Sequence, residues 1–269
     1  MATVKKSPVK QKAHKMGPKL IQSIERAVDI LALFIAEKNS IGITEFAQKM
    51  KLPKTTIQGI VQTLNALHML EKDPLTSRYR LGPLLFQLGM KYATNLDFVN
   101  ITRGWVERLC YQYRQPVNVG MMVGDRVILV LRVEPENRFM VFPQVGSVLP
   151  AHSTSIGKML LAHMDEARRE EILRDYRFEG LTLNTITSRA SFINELERVR
   201  AEGVSFDDQE NIIGLSGVGA PLYNHTGQVV AAFALTGDTA VINEKRADII
   251  DTIKNISKIV SEQLGYAAG

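Results

Sequence analysis

Cysteine is nearly absent from this 269-residue chain: Cys110 stands alone, so no internal disulfide and no cysteine-based zinc site can form. A reducing, cytoplasmic setting is the expectation from that count. No stretch reaches the roughly 18 uncharged apolar residues that a transmembrane helix needs, so no membrane partner is expected. The N-terminal lysines are not followed by the apolar segment of a secretory leader. His14, His68, His152, His163 and His225 are scattered without metal-ligand spacing. There is no phosphate-cradling glycine-rich loop, no dinucleotide fingerprint and no nucleophile elbow. His152, Ser153 and Asp207 are the residue types of a hydrolase, but nothing in the sequence orders them into a relay. These absences leave no metal, no cofactor and no catalytic activity as the expectation.

Acid is also missing where base is plentiful. Residues 1–20 carry Lys5, Lys6, Lys10, Lys12, Lys15 and Lys19 with no Asp or Glu, and Pro8, Gly17 and Pro18 interrupt any helix. That segment reads as a disordered basic tail able to add salt-dependent phosphate affinity. Residues 1–80 hold 14 Lys/Arg against 6 Asp/Glu, whereas residues 81–269 hold 19 against 22. A basic first third on a mildly acidic remainder implies a polyanion-binding module joined to a second domain. Charge by itself does not separate DNA from RNA or an anionic membrane. With 45% hydrophobic and 23% charged residues, the composition is that of an ordinary globular protein.

Residues 21–82 supply the pattern that charge lacks. Ala27, Ile30, Leu31 and Phe34 recur at helical spacing, predicting a first helix from Ser23 to about Glu37. Thr44 is positioned as the N-cap of a short second helix, with Glu45 in its first turn. Leu52-Pro53 makes the turn into a third helix reaching about Leu67, in which Ile57, Ile60, Val61, Leu64 and Leu67 share a face. Short helix, tight turn and a helix with a polar outer face is the helix-turn-helix layout. Residues 68–82 then read as a hairpin turning at Asp73-Pro74 and returning through Tyr79-Arg80-Leu81, the usual wing. Residues 83–97 follow Gly82-Pro83 as a connecting helix, either a dimer contact or the first core helix of the next domain.

Residues 98–269 mix helices and hairpins. A helix is predicted over 101–113, strands over 117–122 and 126–132 around Gly124-Asp125, and a short strand over 139–142. A helix starting at Ile156 is either continued or followed by 165–176. Residues 192–202 are amphipathic and end at Gly203, strands over 218–223 and 229–235 flank a turn ending in Gly227, and residues 244–264 form a long terminal helix. Hairpins interrupted by helices do not match a doubly wound sheet, so the fold class is α+β, with helices packed on an antiparallel sheet.

The chain resembles the IclR-type transcriptional regulators over residues 21–264. The resemblance rests on SIERAVDILALF (23–34), ITEFAQKMKLPKTTIQGIVQTL (43–64), YRLG (79–82), LPAHSTSIGKMLLA (149–162), GVSFDDQE (203–210) and GLSGVGAPLYNHTGQVVAAFALTG (214–237), in that order and spacing. It implies a homodimer or homotetramer whose winged helix-turn-helix binds a palindromic double-stranded DNA operator, often as a repressor of a catabolic operon. It also implies a C-terminal GAF-like domain that binds a small organic acid.

On the third helix, Thr55, Thr56, Gln58 and Gln62 are the candidates for base or phosphate contacts and Lys54 for a phosphate contact, with Arg78 and Arg80 reaching from the wing. Gly59 stands where the family often places a long polar side chain. The resemblance maps the effector pocket onto Ser155 and Ile156 at the start of a helix, where N–H groups hold an anion. It adds Asp207 as the acidic wall residue, Gly217 at a frequent cysteine position, Ala234 and Thr236 at paired serine positions, and Val141 and Leu215 as apolar wall. Gly217 and Ala234 depart from the family pattern and are expected to remove polar groups and add space, which fits a larger acid as well as the smallest ones. The competing reading is a constitutive DNA-binding protein whose C-terminal domain only oligomerises.

Overall fold

A computed structural model describes residues 20–36, 40–136 and 143–267. Most of the basic tail, Val141 and the strand expected over 139–142 lie outside the described residues. The chain divides into two compact units, one ending at Ala93 and the other beginning at Thr94.

Three helices build the first unit: α1 (Gln22–Ala36), α2 (Ile43–Met50) and α3 (Lys54–Ala66). Ile30, Phe46, Ile57, Val61 and Leu64 project from them into one core, closed by Leu70 and Tyr79 of the hairpin β1 (Leu70–Lys72) and β2 (Tyr79–Leu81). Tyr79 also exchanges two backbone hydrogen bonds of 2.9 Å with Ile41, so the wing is stitched to the segment before α2. The start of α2 differs from expectation. Thr44 is an exposed residue inside the helix, and Gly42 is the cap residue. The Gly42 N–H donates to Glu45 Oε2 at 3.0 Å, so the carboxylate satisfies the end of the helix without a threonine hydroxyl. Lys51 ends α2 in the left-handed conformation, and Pro53 lies one residue ahead of α3. At the far end of the wing, a Cβ on Gly82 would fall 2.2 Å from the His68 carbonyl oxygen, so only glycine lets the two backbones pass. Helix α4 (Pro83–Thr94) follows, with Pro83 at its first position, where a missing N–H costs nothing, and it buries no side chain.

The second unit is a mixed α/β domain. Its sheet is antiparallel throughout, in the order β5-β4-β3-β8-β7-β6. The strands are β3 (Val117–Val123), β4 (Arg126–Val133), β5 (Val148–Pro150), β6 (Ser205–Asp208), β7 (Leu215–Tyr223) and β8 (Val229–Asp238). Gly124 adopts φ +62° in the two-residue turn between β3 and β4, as a tight hairpin requires. One face of the sheet packs against α5 (Asp97–Tyr113) and, beyond the short α9 (Thr239–Glu244), against α10 (Arg246–Gln263). The other face packs against α6 (Ser155–Ala162) and, outside it, α8 (Arg189–Glu202). α7 (Glu166–Arg174) is a separate helix, because Asp165 caps a new N-terminus by accepting from the Arg168 N–H at 3.2 Å.

Alternation along the strands explains the layering. Ala231, Phe233 and Leu235 belong to the α5/α10 core, and Ala232 and Ala234 to the α6 core. The phase changes within β4. Val119 pairs with Leu131 but Gly120 pairs with Leu129, so Val130 is an extra, bulged residue. Leu129 therefore joins the α6 face while Leu131 joins the α5/α10 face. Arg132, next along, points to the α6 side.

Candidate functional site

The outer face of α3 is polar and open. Lys54, Thr55, Gln58 and Gln62 are exposed and Thr56 is half-buried, while Ile57, Val61 and Leu64 on the opposite side are buried. Gln58 and Gln62 are one turn apart and so stand on one stripe. A Cβ on Gly59 would meet nothing within 4 Å, so packing within the chain does not call for glycine there. The wing arginines are both engaged. Arg78 donates from Nη2 to Glu45 Oε2 and to the Ser40 carbonyl, each at 2.7 Å, and from Nε to Ser40 Oγ at 3.0 Å. That ties the wing to the α2 start, with the Arg78 side chain still 37% exposed. Glu45 is held below its ordinary pKa, first by the Gly42 N–H and then by Arg78. Arg80 is more exposed and donates to Glu71 Oε2 at 2.9 Å across the hairpin.

A cavity opens in the second unit between the sheet and the start of α6, enclosing about 510 Å³ of space unfilled by atoms, part of it open to solvent. The structure brings Ser155, Ile156, Asp207, Leu215 and Thr236 together on its wall. Thr154 caps α6 by accepting from the Gly157 N–H at 3.2 Å, and its hydroxyl donates to the Pro150 carbonyl at 2.9 Å. This fixes the helix start against β5, where the first N–H groups have no acceptor within the helix. Gly217 and Ala234 lie off the cavity wall. A Cβ on Gly217 would meet Ser155 Oγ at 3.0 Å and Thr236 Oγ1 at 3.2 Å, so its missing side chain is taken up by neighbours and adds no space. Ala234 is fully buried in the core beneath α6. Sequence reasoning missed Asn118, Leu129, Arg132, Leu149, Thr154, Asn211 and Ile212, which also line the cavity.

Asp207 is the most perturbed acid of the wall. Burial pushes its carboxyl up to about 7, and nearby Glu210 adds to this. The Glu210 N–H (2.8 Å) and the Asn211 N–H (3.4 Å), both donating to Oδ1, oppose the rise, as does Lys158. A carboxyl with a higher pKa folded than unfolded binds its proton more tightly in the folded state. Its contribution to stability is therefore full below the ordinary aspartate value of 3.8 and is lost as the pH climbs to about 7. Asp207→Asn keeps an Oδ1 acceptor for both N–H groups and removes the titration. The variant is expected to melt above wild type by a larger margin at about pH 8 than at about pH 5. Equal margins in calorimetry at the two pH values would reject this account.

Beneath the wall lies a lysine that the sequence reading passed over. Lys158, in the second turn of α6, is only 1% exposed. Its Nζ donates to Glu210 in a short contact, to the Phe206 carbonyl at 2.9 Å and to Glu195 of α8 at 3.4 Å. Burial raises the Glu210 pKa against the pull of Lys158. A charged residue inside the apolar run GKMLLA was the available signal, since buried lysines occur almost only with partners.

The hydrolase residue types are not assembled into a relay. His152 has one ring nitrogen on the Tyr176 hydroxyl at 3.1 Å and the other on the Glu179 carbonyl at 2.9 Å. Ser153 Oγ donates to Asn211 Oδ1 at 3.4 Å. Among the described residues, no group of His, Cys, Asp and Glu is disposed to hold a metal ion.

A winged helix-turn-helix followed by an α/β domain with a polar-walled cavity defines a DNA-binding regulator with an effector-binding domain. Comparison with known proteins places it more closely. The chain matches the IclR helix-turn-helix domain over residues 23–74 and the C-terminal domain of the bacterial transcriptional regulator IclR over residues 90–262. It is 29% identical over 250 residues to the HTH-type transcriptional regulator XynR of Escherichia coli (strain K12), covering 93% of this chain and 99% of that one. It is 27% identical over 250 residues to the HTH-type transcriptional regulator KdgR of Dickeya chrysanthemi, covering 93% and 82%. The crystal structure of an IclR transcriptional regulator from Alicyclobacillus acidocaldarius superposes with a TM-score of 0.79 at 25% identity, over 92% of this chain and 100% of that one. The chain belongs to the IclR family of transcriptional regulators. As such it is a DNA-binding regulator and not an enzyme.

Proposed function

We propose that the protein is a repressor of a catabolic operon that loosens its grip on a palindromic operator when a small organic acid enters the cavity of the second unit. The observation that carries this is the capped start of α6 on the cavity wall, which offers N–H groups to an anion beside the hydrogen-bonding side chains of Ser155, Thr236 and Asp207. The second unit is then a GAF-like sensing domain in the cytoplasm. Exposed Ile24 and Val28 on α1, and Phe86, Leu88, Met90 and Tyr92 on α4, suit a subunit contact, so a homodimer or homotetramer is the working assembly. A twofold assembly reads a palindrome because its two recognition helices meet two half-sites. Lys54, Thr55, Thr56, Gln58 and Gln62 are assigned to DNA, with Arg80 at the wing. Arg78, held by Glu45 and Ser40, braces the wing.

The test is operator affinity, measured by fluorescence anisotropy with and without a panel of organic acids. At least one acid is expected to weaken binding about tenfold, within the usual range of allosteric coupling. If no acid changes the affinity, the C-terminal domain serves assembly alone and the sensory reading fails. A second measurement addresses readout. Gln58→Ala and Gln62→Ala are each expected to reduce discrimination between operator and altered sites by about 1–3 kcal/mol, while the slope of affinity against salt stays as in wild type. Unchanged discrimination would take both glutamines out of base recognition.

A further inference from the structure

The cavity has two polar ends, set apart by the sheet. Arg132 pairs with Asn118 across β4 and β3, and Asn118 pairs with Ala234 of β8. Asp207 pairs with Gly217, and Gly217 with Thr236, across β6, β7 and β8. All of these residues point to the α6 side. From Arg132 on β4 to Thr236 on β8 there are two strand spacings, on the order of 10 Å across the sheet. Arg132 and Thr236 line the same cavity, with Leu129, Leu149 and Leu215 supplying apolar wall.

We infer that Arg132 is a specificity-determining residue that receives a second carboxylate, so that the effector is a dicarboxylic acid spanning the cavity; this rests on the reading of the cavity as an organic-acid site. Three observations converge. The Arg132 side chain is 3% exposed, while its ion-pair partner Glu134 is 39% exposed and meets solvent. A cation buried on a cavity wall attracts an anion there far more strongly than a surface arginine does. The guanidinium is held in place, donating from Nη1 to Asn118 Oδ1 at 2.7 Å and from Nε to Glu134, so little side-chain entropy is lost when a carboxylate arrives. The bulge at Val130 is what turns Arg132 to the cavity side. With regular alternation it would face away from Leu129, and bulges of this kind re-aim side chains beside sites. One carboxylate then meets the α6 start and Thr236, and the other meets the planar donor fork of Arg132.

Calorimetric titration of the full chain with matched pairs tests this: succinate with butyrate, adipate with hexanoate, and terephthalate with 4-methylbenzoate. At least one diacid is expected to bind about tenfold tighter than its monoacid partner. Arg132→Met should erase that preference and leave the monoacid affinity in place, and Arg132→Lys should keep part of it. Asn118→Ala, which retains the cation but loosens its hold, should weaken the diacid by a smaller factor. If monoacids bind as tightly as diacids in wild type, or if the preference survives in Arg132→Met, the inference falls while the organic-acid reading stands. If no acid of either kind binds, both fall. Should Arg132→Met fail to fold, the wild-type preference and the Asn118→Ala titration decide.

Discussion

Replacing Lys158 with methionine is expected to destabilise the second unit by about 3–5 kcal/mol, the usual cost of stripping one partner from a buried ion pair. In a domain of this size that corresponds to a fall in melting temperature on the order of 10 °C. The loss does not come from the side chain's packing, since methionine fills a similar volume. It comes from Glu210, whose side chain is 8% exposed and, without its counter-ion, is either left charged in a dry setting or driven to take up a proton, each at a cost. Glu195 is less affected, because Arg198 donates to it from Nη2 at 2.8 Å and from Nε at 2.9 Å. A double variant, Lys158→Met with Glu210→Met, removes the stranded charge together with its partner. It is expected to recover most of the stability, since a buried pair and its apolar replacement are often nearly equal. Equal melting temperatures for the single and double variants would show that the ion pair is not what holds α6 to the loop after β6. The consequence reaches the cavity. The Glu210 N–H donates to Asp207 Oδ1, and Thr182 and Thr185 hydroxyls donate to the Gln209 and Glu210 carbonyls at 2.7 and 2.6 Å. Lys158 thus anchors from below the same loop that carries Asn211 and Ile212 to the cavity wall.

What the sequence showed, and what it hid, follows from how local each signal is. Helices α1 to α3 and the wing were legible because their apolar spacing, turn residues and short loops are neighbours in the chain. The β3–β4 hairpin was legible from two residues, Gly124 and Asp125. β5 and β6 were not, since three or four residues such as Ser205–Asp208 carry no measurable alternation. Thr44 was assigned the capping role because its hydroxyl suits it, but a carboxylate three residues along from a glycine does the same work. Ser155, Asp207 and Thr236 were placed through family resemblance, and their meeting depends on the pairing of β6 with β7 and β7 with β8. Arg132 was hidden for a further reason. In the run VILVLRV, strict alternation puts Val127, Leu129 and Leu131 on one face, and only the bulge at Val130 moves Arg132 to the side of Leu129. A bulge is set by two strands together, so no window on one of them discloses it.

Gly157→Ala is expected to cost about 3 kcal/mol, the upper end of ordinary overpacking, although alanine is the better helix former. A Cβ at this position would lie 2.2 Å from the Ala151 carbonyl oxygen and 2.5 Å from its Cα. Both are backbone atoms and cannot swing aside as a flexible side chain does. The α6 start must therefore move off the β5–α6 turn, and the Thr154 cap, which accepts from the Gly157 N–H, is pulled with it. Ser155 and Ile156 shift in turn, and with them the N–H groups assigned to the effector's carboxylate. Loss of acid binding should accordingly exceed the loss of stability in relative terms. Gly59→Ala in α3 supplies the control, because a Cβ there meets nothing within 4 Å. That variant is expected to gain up to about 1 kcal/mol from helix propensity alone. The same chemical change thus carries opposite signs in the two units, and thermal melts of both variants decide the matter. A Gly157→Ala protein as stable as wild type, with acid binding intact, would mean that the close approach of α6 to Ala151 is not needed to form the cavity.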